Sequence, residues 1–144
     1  MAITAGVNNE FKKEVLLGTH NFTSATDVFK IALYPTASTL GPTTSPTYTT
    51  TGECPSTGNY SAGGNTLTST TPVLNGTEGC CFFATTTWSA STITAGGAQI
   101  YNSSKSSKNV AVLSFGGTDK VSSAGDFTIT FPSQIAGSAI VRIT

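Results

Sequence analysis

The sequence predicts an all-β fold, an antiparallel β-sandwich or jelly-roll-like barrel with one short N-terminal helix, and three observations carry that reading. Apolar residues recur at every second position in separated segments, as in Phe29-Lys30-Ile31-Ala32-Leu33 and Phe127-Thr128-Ile129-Thr130-Phe131, which is the spacing of half-buried strands. Turn signals divide the chain between such segments, among them Gly63-Gly64, Asn75-Gly76, Gly96-Gly97 and Gly116-Gly117. Only residues 8–17 carry a helical period, so the strand-helix alternation of a doubly wound parallel sheet is missing.

In chain order, Asn8 or Asn9 can cap a helix that places Phe11, Val15 and Leu16 on one face, and Gly18 supplies its stop. Such a helix, about three turns long, is too short to persist alone in water and must dock its apolar face. Phe29, Ile31 and Leu33 then point one way from a strand that Pro35 ends, with Lys30 on the other side. Residues 36–57 are rich in Thr, Ser and Pro and read as a long loop, the part to residue 51 being a loop or a loosely paired edge. Further strands are expected around Tyr60 and over Thr66–Ser69, Gly79–Trp88, Gln99–Asn102, Asn109–Phe115, Asp126–Phe131 and Ser138–Ile143. Phe29, Ile31, Leu33, Leu113, Phe115, Phe127, Ile129 and Phe131 are expected to share one core.

The chain of 144 residues is read as a single β domain over 1–144, with residues 1–27 as N-terminal helix and arm. Lys plus Arg balance Asp plus Glu at 7 each, so there is no basic stripe for phosphates and nucleic acid is an unlikely partner. The N-terminus lacks a basic segment followed by an apolar run, and no stretch approaches the roughly 18 apolar residues of a membrane span, so neither secretion by a standard signal nor membrane insertion is expected. Cys54, Cys80 and Cys81 form no CxxC pattern and read as free thiols of a protein made in a reducing cytoplasm.

Catalytic, cofactor and metal sites are not expected. His20, the sole histidine, reads as a structural group bonded to backbone, with no carboxylate or cysteine at ligand spacing. Glu10 and Glu14 interleave with Lys12 and Lys13 and read as a solvated helix face. The Gly-rich segments match no phosphate-binding motif. Cys80 and Cys81 adjoin in a strand-like run, so both faces are buried there or the outer thiol meets a partner.

The ordered string EFKKEVLLGTHNF (10–22), FKIALY (29–34), GNYSAGGNTL (58–67), WSASTITAGGAQIYNSS (88–104), NVAVLSFGG (109–117) and AGDFTITFP (124–132) resembles a widespread family of small structural proteins of tailed bacteriophages and cyanophages. The resemblance spans nearly the whole chain. It departs at residues 36–57, longer than the family's usual turn, and at the adjacent cysteines. It implies a virion protein on the capsid surface, a decoration or cement protein that binds the major capsid protein and stabilises the shell. A tail or fibre module recognising a host-surface receptor is the alternative. Unguarded sheet edges and icosahedral symmetry suggest a homotrimer. Phe11, Val15, Leu16 and Leu17 are more apolar residues than one narrow helical stripe needs, and they are the expected contact with a neighbouring subunit or the capsid, the alternative being a helix packed wholly against its own sheet.

Overall fold

Alternating segments of the sequence form strands in the computed structural model, which describes residues 2–23, 26–133 and 137–144. The order is β1 (Gly6–Val7), α1 (Asn9–Leu16), β2 (Phe29–Tyr34), β3 (Asn65–Leu67), β4 (Val73–Asn75), β5 (Glu78–Cys81), β6 (Thr86–Ala95), β7 (Gly97–Asn102), β8 (Lys108–Ser114), β9 (Lys120–Ile129) and β10 (Val141–Ile143). They build a five-stranded sheet β1-β8-β7-β2-β3, a three-stranded sheet β10-β5-β4 and the pair β6-β9, and every strand pairing is antiparallel. The five-stranded sheet ends in two different edge strands, so the sandwich does not close into a barrel.

The β6-β9 pair lies over one face of the five-stranded sheet. Trp88, Ile93, Phe127 and Ile129 from the pair share a buried core with Phe29, Ile31, Leu33 and Ile100 from the sheet. Of the core expected from sequence, Leu113, Phe115 and Phe131 sit at its rim, packed against it and partly buried. The chain crosses between layers at Gly96-Gly97, where close packing requires glycine. A Cβ on Gly97 would lie 2.4 Å from the Leu113 carbonyl oxygen, and one on Gly96 2.2 Å from Thr36 Cγ2.

Residues 36–57 hold no strand and form a long loop, bridged to β8 at Thr47–Lys108. They cover the opposite face of the same sheet, where Leu40 and Tyr48 pack with Ala32, Tyr34, Tyr101 and Val112. Backbone bonds fasten the segment: Tyr48 N–H donates to the Ser107 carbonyl and Cys54 N–H to that of Leu33, both at 2.8 Å. Strands β2 and β7 are consequently covered on both sides, and Gln99 and Asn102 are fully buried with them.

Two strand expectations are corrected in detail. The run Gly79–Trp88 belongs to two strands of different sheets, β5 and β6, because the chain leaves one sheet for the other between them. Tyr60 is not in a strand but in a turn closed by a Thr57–Tyr60 bridge. Cys80 and Cys81 are both buried, and all three cysteines are free thiols. No described helix is long and apolar enough to cross a membrane.

Candidate functional site

Helix α1 is placed by its own cap. Asn8 Oδ1 accepts the Glu10 and Phe11 backbone N–H groups at 2.9 and 3.3 Å, while its Nδ2 donates to the Pro42 and Ser45 carbonyls. Gly18, at φ +67°, closes the other end. One side of α1 turns inward through Phe11 and, one turn on, Glu14. Glu14 is therefore buried and not part of a solvated face, unlike Glu10, which pairs with Lys13 at the surface. Burial pushes the Glu14 carboxyl up, but hydrogen bonds from Lys108 and His20, with the charge of Lys108, outweigh it and hold the group below the usual range.

His20 is the centre of this network. Its side chain is wholly shielded, Nε2 lies 2.9 Å from Glu14 Oε2, and Nδ1 lies 3.0 Å from Asn102 Nδ2. Its partners are thus side chains and not the backbone groups expected from sequence. Asn102 also donates to Asp27 Oδ2 at 2.8 Å, and Asp27 accepts the Asn21 N–H and faces Lys105. Burial raises the Asp27 carboxyl, and these donors together bring it below its ordinary value. With both ring nitrogens engaged, His20 has no free position from which to serve a substrate; with Asp27, Asn102 and Lys108 it straps α1 and the segment around Asn21 to β7 and β8. Among the described residues no group of three or more His, Cys, Asp or Glu could hold a metal ion.

A second polar hub stands on the other face. Glu53 Oε1 accepts from Tyr60 Oη and Gly63 N–H, each at 2.7 Å, and Oε2 accepts from Tyr48 Oη at 2.6 Å. Tyr48 stacks on Tyr101, whose hydroxyl donates to the Gly63 carbonyl. This hub pins the long loop to the sheet, with the Glu53 carboxylate engaged by three donors.

An open groove lies at the helix edge. A groove of ≈ 590 Å³ runs between α1 and the three-stranded sheet, floored by Phe11, Val15, Cys81 and Val141. Leu16 and Ile143 stand at its rim, 88% and 62% exposed. Beyond it Leu17 is 71% and Leu74 76% exposed. Of the four residues singled out in the sequence, Phe11 lies inside the core, Val15 is half-buried beneath the groove, and Leu16 and Leu17 point outward. The wall opposite α1 escaped sequence reasoning. Its one signal was the Val141-Arg142-Ile143 alternation, which puts Ile143 at the end of a strand that pairs on one side with β5. A second groove, of ≈ 540 Å³, lies between the end of β8 and β9, and its charged lining residues are Lys120 and Asp126. The apolar groove at α1 combines exposed leucine and isoleucine with a rigid, capped and strapped helix, which is what a docking face requires. No protein-family model, no curated protein and no solved structure matches the chain.

Proposed function

We propose that the protein is a virion structural protein that binds the outside of a tailed-phage capsid as a decoration or cement protein, with the major capsid protein as its partner. The observation that carries this reading is the apolar edge formed by Leu16, Leu17 and Ile143 around the α1 groove. Large apolar side chains left in water on a fold this well tied down mark a surface that another protein covers. A component that binds the assembled shell better than free subunits stabilises the shell by linkage, with no chemical step. A homotrimer belongs to the same proposal: among the described residues strand β4 is a terminal strand of its sheet with Val73 and Leu74 exposed, and pairing with copies would cover them. Three linked copies would multiply modest contacts on the lattice.

The test is co-sedimentation of the purified protein with phage heads lacking it, followed by heating to the point of DNA release. Saturable binding that raises the release temperature, and that Leu16→Ser abolishes, is the expected result. Heads that neither bind the protein nor gain heat resistance would overturn the reading.

A further inference from the structure

We infer that the groove between α1 and the three-stranded sheet takes an apolar protein segment bearing carboxylates, with Lys12 and Arg142 reading its charge. This deepens the capsid-binding reading and rests on it only for the partner's identity.

The argument starts from charge. The two charged side chains lining the groove are both basic, Lys12 on α1 and Arg142 on β10, and they stand among apolar groups. Lys12 Nζ bonds to a neutral amide oxygen, Asn9 Oδ1, at 3.2 Å. Arg142 reaches Glu78 at a long 3.5 Å, and that carboxylate already accepts the Gly137 N–H at 2.9 Å. An incoming carboxylate would find two cations with weak prior commitments beside an apolar floor, and charge complementarity of this kind sets partner choice.

Shape and charge together argue against other occupants. A trench with Phe11 and Val15 at its floor admits side chains, whereas a bilayer surface would meet only the rim, and the chain's net charge of zero offers anionic lipid no broad attraction. A second copy does not supply the complement. Glu10 is held by Lys13, Glu78 by Arg142 and Gly137, Asp119 by Thr36, and Asp126 shares the second groove with Lys120.

The probe is a random peptide library of about 12 residues, long enough to span a groove as helix or strand, panned on the full immobilised chain. Parallel selections use Leu16→Ser and the double variant Lys12→Glu/Arg142→Glu, whose side chains are exposed and whose folding circular dichroism verifies. Peptides enriched on the wild type should combine apolar residues with Asp or Glu, lose at least about tenfold in affinity on either variant, and weaken with salt. The double variant should turn the preference toward Lys and Arg. Groove-dependent peptides without acidic residues, or no groove-dependent enrichment, would overturn the inference. So would self-association, or binding to phosphatidylglycerol vesicles, that Leu16→Ser removes. Acidic peptides binding where phage heads do not would retire the capsid reading and leave this inference standing; heads binding with no response to the double variant would do the reverse.

Discussion

Asn102 fixes the state of His20. Its Oδ1 accepts the Ser104 backbone N–H at 3.1 Å, so its Nδ2 must be the atom facing His20 Nδ1 at 3.0 Å, and that ring nitrogen is an acceptor. The proton of the neutral ring then sits on Nε2 and is donated to Glu14. One amide orientation, set by a backbone group in the β7–β8 turn, thereby determines how the helix is strapped to the sheet.

The strap makes the fold acid-sensitive. Glu14 and Asp27 both hold their protons less tightly in the folded chain than in the unfolded one. Their contribution is therefore full above the unfolded values near 4 and is lost as pH falls through the lower folded values. Urea unfolding at successive pH should show stability declining below about pH 4, with Glu14→Gln costing roughly 1–2 kcal/mol at neutral pH and flattening the acid slope. A variant with an unchanged slope would remove Glu14 from this role.

The tyrosine hub makes the opposite prediction at high pH. Burial, and then the negative charge of Glu53, pushes Tyr34, Tyr48, Tyr60 and Tyr101 up, Tyr101 to about 12. These groups support the fold below the unfolded value near 10, and that support is lost as pH rises through the folded values. The phenolate absorbance near 295 nm should stay flat past pH ~10.5 and rise together with loss of the β-sheet signal. Glu53→Ala, which strands two tyrosine hydroxyls and the Gly63 N–H, should lower stability by at least about 2 kcal/mol. Phenolate formation near the ordinary value in the intact fold would contradict the packing of residues 36–57.

The thiols should be inert. Burial pushes Cys54 and Cys81 up to about 12, and Cys80 is fully buried as well. A disulfide-exchange reagent should label no cysteine in the native protein and all three in guanidinium. Rapid native labelling at Cys80 or Cys81 would show that the α1 groove, whose lining includes both, exposes their sulfurs.

Two opposed bulges in the β6-β9 pair offer a route to added stability. The register shifts between Trp88 and Ser91 and again between Ser91 and Ile93, and Ala90 and Ala124 occupy the left-handed region there, each at φ +49°. An alanine in that region costs roughly 1–2 kcal/mol, part of which a glycine returns through its greater freedom when unfolded. Ala90→Gly and Ala124→Gly should each raise stability by about 0.5–1 kcal/mol in chemical denaturation. Destabilisation by either would show that the methyl group packs usefully.

Much of this fold was legible where one local period dominates. Phe29, Ile31 and Leu33, and Phe127 and Ile129, announce their core face, and Asn8 and Gly18 bound α1 as cap and stop. The second face of the five-stranded sheet was not legible, because its cover is an aperiodic loop whose Leu40 and Tyr48 stand alone among Thr, Ser and Pro. Glu14 was misread for a related reason: the lysine that makes its burial tolerable, Lys108, lies 94 residues away in sequence. Half of the candidate site was visible in Leu16 and Leu17. The other half, from Pro72 to Ile143, forms only when β4, β5 and β10 assemble.

The capsid assignment is tested most directly by a cryo-electron microscopy map of the virion at side-chain resolution. The account predicts density for this sandwich on the outer capsid face, in three-fold groups, with the α1 edge and Leu16 seated against the major capsid protein. Density for the chain at a tail tip or fibre, or on the shell with Leu16 and Ile143 facing solvent, would contradict it.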